Sequence, residues 1–182
     1  HYSNDLNASM DGTQVTVMGW VLTVRGHGNI SFATVRDKNG DLSIVAKKGD
    51  CPDEIREKIS SLKAHSSIGV TGTIKASEKA PSGFEIIPTE LRVFSEVTTI
   101  PPFEPTAKTV KNIDTRLEVR PIDLRRNILQ HVFKTRSLVL KTIRDYFNDQ
   151  NFVEINTPKM IATATEGGAA LFPIFYYNKE AF

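Results

Sequence analysis

The chain has 182 residues, 40% hydrophobic and 24% charged, with a net charge of +2. This is the composition of an ordinary folded protein with room for one large domain, or a small one and part of a second; it excludes a disordered chain, and no apolar run reaches the ~20 residues that span a bilayer. A single cysteine, Cys51, excludes an internal disulfide, fits a reducing compartment and, between Asp50 and Pro52-Asp53, lacks the electropositive surroundings of a reactive thiolate. The opening His1-Tyr-Ser-Asn-Asp5 carries no basic start and apolar core, so no secretory signal is expected, and the lack of an initial Met is read as trimming of a few residues.

From Thr13 to Ser95 the pattern predicts short strands separated by turns. Gln14 to Val24 is rich in Val and Thr, and Asn29 to Arg36 is a second run. Asp37-Lys-Asn-Gly40 closes a hairpin, with Asn-Gly expected to supply the positive φ of a tight turn, and Asp41 to Ala46 returns. From Pro52 to Leu62 the period changes: Ile55, Ile59 and Leu62 fall at helical spacing behind a Pro-Asp start. Strands resume at Ser67 to Lys75 and Phe84 to Phe94, around a loop at Ala76 to Gly83. Three strands, a helix and two strands is the order of an OB-fold, a small, partly open barrel that often binds single-stranded nucleic acid.

Ile100-Pro-Pro-Phe-Glu-Pro105 marks a domain boundary, because three prolines continue neither a sheet nor a helix. The predicted organisation is a barrel over residues 1–98, a linker over 99–122 and the start of another domain over 123–182. A helix is predicted from about Leu124 to Gln150. Ile128, Val132, Val139, Ile143 and Tyr146 or Phe147 form its apolar stripe, and Leu124, Leu129, Phe133, Leu138 and Leu140 widen it. Such breadth calls for burial on more than one side, by further chain, by a second subunit, or by both. A short strand through Phe152 to Pro158 follows. No internal repeat or low-complexity segment is present.

On the second strand, Ile30, Phe32, Thr34 and Arg36 share one face and Ser31, Ala33 and Val35 the other. Phe32 is either a core residue or a stacking platform for a base, and Arg36 either a solvated charge or its neighbour. Arg25, expected in the loop before that strand, has the reach to meet a phosphate or a base edge. Lys108, Lys111, Arg116, Arg120, Arg125, Arg126, Lys134 and Arg136 crowd one stretch, diluted by Asp114, Glu118 and Asp123. That stretch is either a footprint for a polyanion or a solvated linker and helix face. His1, His27, His65 and His131 lack metal-ligand spacing, and no metal site is expected. Glu166 before Gly167 and Gly168 offers a carboxylate for a substrate ammonium, with backbone free to come close; alone, the same residues also read as a turn.

Gly19-Trp-Val21, Arg25, Phe32, Val35-Arg-Asp37 and Gly40 together resemble the anticodon-binding domain of the aspartyl-, asparaginyl- and lysyl-tRNA synthetases. Asp114-Thr-Arg-Leu117 and Ile122-Asp-Leu-Arg-Arg126 extend the match, and Asn156-Thr-Pro-Lys-Met-Ile-Ala-Thr-Ala-Thr-Glu-Gly-Gly168 is similar to the archaeal and eukaryotic type of aspartyl enzyme. The resemblance covers essentially the whole chain and implies an OB-fold β-barrel followed by the α/β start of a class II catalytic domain, ending just after its first signature motif. It implies that Phe32 stacks on an anticodon base, with Arg25, Arg36 and Ser43 beside it. Ser43 stands where relatives commonly place a glutamine, and a hydroxyl is shorter than a two-ended amide. It implies a homodimer centred on Pro158, and Glu166, Gly167 and Gly168 at the bound amino acid.

The complete family enzyme activates aspartate with ATP and Mg²⁺ and esterifies tRNA-Asp, with tRNA-Asn left open as a second acceptor. Its transition-state groups lie beyond Phe182 in the family, so catalytic residues within this chain are expected to be none, and the chain is expected to bind tRNA without catalysing. A cytoplasmic location without membrane contact is implied. Two other readings stay open: a non-catalytic OB nucleic-acid-binding protein with a dimerising helical tail, and a sister synthetase for asparagine or lysine.

Overall fold

A computed structural model describes residues 1–99, 101–102, 111–161, 172–177 and 179–181, in two compact units, His1–Ile100 and Pro101–Phe182. The first unit contains β1 (Gln14–His27), β2 (Ile30–Arg36), β3 (Asp41–Lys47), α1 (Asp53–Ser61), β4 (Ser67–Ala76) and β5 (Phe84–Ser95), in that order. The strands form a closed ring in the order β1-β2-β3-β5-β4. The expected partly open barrel is therefore closed, through a seam where β3 and β5 run parallel with Ile44 opposite Ile86.

Closure depends on β1 serving two neighbours. Its first half pairs with β4, from Gln14 opposite Thr73 to Trp20 opposite Ser67. Its second half pairs with β2, from Trp20 opposite Arg36 to His27 opposite Ile30, across an irregularity between Val21 and Thr23. A bulge of this kind bends a strand and increases its twist. Beside the bend a Cβ on Gly19 would lie 2.3 Å from the Arg36 carbonyl oxygen, and at a second irregularity, between Thr71 and Gly72 in the β4–β5 pairing, one on Gly72 would lie 2.4 Å from that of Ile87. Neither site has room for a side chain.

Period-2 alternation then sorts the strands into two faces. Val15, Val17 and Val21, Ala33 and Val35, Leu42, Ile44 and Ala46, Ile68, Val70 and Ile74, and Phe84 and Ile86 all point inward and are buried. The helix α1 adds Ile59 and Leu62 to the same core. Leu6, in the irregular N-terminal segment, joins it too.

The hairpin between β2 and β3 differs from expectation. Neither Asn39 nor Gly40 has a positive φ. The turn is held by the Asp37 carboxylate, which accepts from the Asn39 N–H (2.7 Å), the Gly40 N–H (2.9 Å), the Ser3 N–H (2.5 Å) and the Ser3 hydroxyl (2.7 Å). This is an Asx-type turn with the N-terminal segment pinned to it. Burial pushes the Asp37 carboxyl up, but its hydrogen bonds from Asn39, Ser3 and Gly40 outweigh that and hold it below its usual value of 3.8.

The second unit holds α2 (Ile113–Glu118), α3 (Arg120–Asp123), α4 (Asn127–Asp149) and a small antiparallel pair, β6 (Ile174–Tyr176) and β7 (Lys179–Ala181). The expected linker is thus helical from Ile113 to Asp123, and the long helix begins at Asn127 rather than Leu124. The signal for α2 is Asn112, whose side chain accepts from the Thr115 N–H (3.1 Å) as an N-cap. Asp123 is fully buried, with Arg116 Nε at 3.1 Å, Arg120 at 3.2 Å and Arg126 at 3.6 Å. Three members of the basic stretch are therefore spent on one internal carboxylate. Phe152 to Pro158 forms no strand, contrary to expectation. Phe152, Val153 and Ile155 are exposed there, and no described neighbouring strand takes up the backbone hydrogen bonds.

Asp37→Asn puts an amide where the carboxylate gathers N–H donors, and is expected to lower the unfolding free energy by about 1.5–3 kcal/mol. Because the folded-state pKa is depressed, the carboxylate's contribution is fully present above 3.8 and is lost as pH falls through the lower folded value. Denaturant unfolding of both proteins from about pH 6 to about pH 2 should show the difference shrinking in acid. A difference that stays constant over that range overturns the assignment.

Candidate nucleic-acid interface

The outward positions of β1, β2 and β3 form a surface of cross-strand rows. Direct partners in a ladder project to the same face. One row is Arg25–Phe32–Val45, the next is Thr23–Thr34–Ser43, and on the other side lies His27–Ile30–Lys47. Phe32 is 41% exposed, while Ser31, Ala33 and Val35 on the opposite face are buried. The core alternative for Phe32 is thereby removed: it is an aromatic ring on the outside of the barrel.

Arg25 lies within β1 rather than in a loop, because β1 continues to His27. It is exposed and directly across from Phe32. Arg36 is differently placed. Its Nε and Nη2 donate to the two oxygens of Asp41 at 2.6 and 2.8 Å, and its side chain is only 11% exposed. A bidentate pair of this geometry satisfies both partners and cancels the charge at that end of the surface. Ser43 is half-buried opposite Thr34. The Thr23 hydroxyl donates to the Thr34 hydroxyl oxygen at 3.3 Å. Alternation had placed Thr34 on the Phe32 face, but sequence reasoning had not singled out Thr23 or Lys47; their signal was the register, which the hairpin turn sets.

In the second unit α4 presents Ile128, Val132, Leu138, Val139, Ile143 and Tyr146 as exposed residues. The expected breadth of the stripe is present, and no described element of the unit covers it. Pro158 is exposed. Glu166, Gly167 and Gly168 lie outside the described residues. Among the described residues no group of three His, Cys, Asp or Glu is arranged to hold a metal ion, and no helix is long and apolar enough to cross a membrane. Burial raises the Cys51 thiol above its usual value, with nearby Arg56 opposing and Asp53 and Asp50 adding to the shift.

Residues 15–94 match the model of the OB-fold nucleic acid binding domain, and residues 112–182 that of the class II tRNA synthetases (D, K and N). The aspartate–tRNA(Asp/Asn) ligase of Methanocaldococcus jannaschii is 46% identical over all 182 residues, and that of Methanococcus aeolicus 44%. The chain spans 42% of the length of each. Among solved structures, the asparaginyl-tRNA synthetase from Pyrococcus horikoshii complexed with asparaginyl-adenylate is 29% identical with a TM-score of 0.88, over 100% of this chain and 41% of that one. The aspartyl-tRNA synthetase from Entamoeba histolytica is 26% identical with a TM-score of 0.78, over 87% of this chain and 39% of that one. Over its whole length the chain is similar to part of these tRNA synthetases, its barrel matching the OB-fold nucleic acid binding model and its second unit the model of the class II tRNA synthetases (D, K and N).

Proposed function

We propose that this chain is the tRNA-binding and dimerising part of an aspartate–tRNA ligase. The observation that carries the reading is Phe32, exposed on the barrel with Arg25 across from it. An aromatic face beside a guanidinium suits an unpaired base and its phosphate. The aspartate assignment, and tRNA-Asp as acceptor, rest on identity to ligases named for tRNA(Asp/Asn). Competition between stem-loops carrying the Asp and Asn anticodons decides whether tRNA-Asn is a second acceptor. A cytoplasmic location goes with this reading.

Aspartate activation uses ATP and Mg²⁺ in this family. The described residues offer no acidic cluster for the metal, so no step of the reaction is placed on them. The contribution proposed for this chain to the amino-acid site is Glu166, pairing with the substrate ammonium beside Gly167 and Gly168. The apolar face of α4, with the segment through Pro158, is proposed as the dimer surface. What supports it is the number of large side chains left in water, since burying one fully stabilises by about 1.5–3 kcal/mol.

Phe32→Ala is expected to weaken binding of an anticodon stem-loop by ~1–3 kcal/mol, the value of one lost base stack. The barrel should stay folded, because Phe32 lies outside the core. Unchanged affinity in a folded variant rules out the stacking role.

Sedimentation at micromolar concentration is expected to give a dimer, and Val132→Lys or Ile143→Lys, each placing a charge on the α4 face, a monomer. A wild-type monomer at every concentration refutes the proposed interface.

In a protein spanning the length of the relatives, Glu166→Gln is expected to raise the aspartate requirement roughly ten- to hundredfold, since a hydrogen bond to a charged group contributes ~1.5–3 kcal/mol and about 1.4 kcal/mol is one decade. The ATP requirement should move less. The 182 residues alone are expected to give no aspartate-dependent ATP–pyrophosphate exchange. A normal aspartate requirement in the variant returns Glu166 to a turn residue.

A further inference from the structure

The turn that joins β2 to β3 contains Asn39-Gly40, the only Asn-Gly pair in the sequence. Asparagine is chemically most labile before glycine, because glycine puts no side chain in the way of its own amide nitrogen. That nitrogen attacks Cγ of the asparagine, and the bond from Cγ to Nδ2 breaks. The proton of the attacking N–H passes to solvent, solvent returns one to Nδ2, and ammonia leaves. The cyclic imide then takes up water at either carbonyl and opens to aspartate or isoaspartate. Water is the only co-reactant, and Asn39 is exposed to it.

Both reacting groups are tied down by separate bonds. The Gly40 N–H donates to Asp37 Oδ1 at 2.9 Å, so the nucleophile is held by a carboxylate whose charge opposes removal of that proton. The Asn39 side-chain amide donates to Asn4 Oδ1 at 2.6 Å, so the electrophile is held by the N-terminal segment. Ser3 closes over the turn. Its N–H and its hydroxyl both donate to Asp37, and a Cβ on Gly40 would lie 3.2 Å from its Oγ. Outside it, Lys38 Nζ sits 3.9 Å from the centroid of the Tyr2 ring. Tyr2 to Asn4 therefore lie across the turn as a strap, and geometry rather than access of water limits the reaction.

We infer that Asn39-Gly40 is a deamidation site kept silent by this strap, and that release of Tyr2 to Asn4 arms it. The change runs one way. Either product puts a carboxylate at position 39, close in sequence to Asp37 and Asp41, where an amide had donated to Asn4. The isoaspartyl product also adds a carbon to the backbone inside the loop that Asp37 closes, so the bonds from the Asn39 and Gly40 N–H groups lose their geometry. The strap then has no turn to return to. A local opening is converted into a permanent covalent mark.

The test is incubation of the 182-residue chain in mildly alkaline buffer, with conversion at position 39 read by peptide mass mapping and isoaspartate titration. In urea, where strap and turn are gone, conversion is expected to run at least about tenfold faster than in the folded chain, the factor of one hydrogen bond to a charged group. Asn4→Ala frees the side-chain amide and is expected to speed conversion in the folded chain by about two- to tenfold; Asp37→Asn is expected to speed it by about ten- to hundredfold. Ile59→Val, in the core on α1 and outside the strap, lowers overall stability and should leave the rate unchanged. Equal rates in the folded chain and in urea, or unchanged rates in both Asn4→Ala and Asp37→Asn, overturn the proposal. Acceleration by Ile59→Val in proportion to its loss of stability overturns it too, since the reaction then runs through global unfolding. The deamidated form, separated by its added charge, is expected to lose its N-terminal residues to a protease faster than the unmodified protein. Equal protection of the two forms overturns the one-way release.

Discussion

The barrel depends on one strand being shared between two neighbours. The fourteen residues of β1 serve β4 with their first half and β2 with their second, and the bend at Val21–Thr23 lets one strand belong to both. Gly19 and Gly72 sit where backbones nearly touch, so this closure is a requirement on sequence as well as a shape. Everything on the outer surface follows from it. Once β1 is bent and β2 is paired from Trp20–Arg36 onward, the register places Phe32 beside Arg25 and Thr34 beside Thr23. A slip of one residue would send Phe32 inward and bring Ala33 out.

Much of the barrel was legible because alternation and turn residues carry the information locally. The strand order, α1 and the identity of the first hairpin came from the sequence pattern with errors of a few residues at the ends. The mechanism of the hairpin did not. Asn39-Gly40 advertised a positive-φ turn, and the turn is organised by Asp37 drawing in Ser3, 34 residues earlier. Arg25 was read as a loop residue because a strand's end is decided by its partner, here Phe32, and not by its own composition. The strand expected at Phe152–Pro158 shows the same dependence in reverse: β-branched and aromatic residues without a described neighbour form no strand.

Charge was the least legible feature, since a list of basic residues says nothing of their partners. Arg36 looked like a nucleic-acid ligand and is held by Asp41. Arg116, Arg120 and Arg126 read either as a polyanion footprint or as solvated charges, and they converge on Asp123. A buried carboxylate left without its arginines is strongly unfavourable, which explains why a stretch that reads as linker folds into two short helices around it. Asn112 as an N-cap and Pro121 in the first turn of α3 were the local signals for those helices, and the run of charges masked them.

The buried residues of the barrel core lie between Leu6 and Ile86, Leu91 and Val93 pack against them, and the last strand ends at Ser95. A ribosome therefore delivers everything the barrel needs before any of α4 has been synthesised. Domains generally fold as units, N-terminal first, during synthesis. The barrel is then a finished body when the apolar helix emerges, and that helix is the part of the nascent chain in need of chaperone protection until a second surface arrives to cover it.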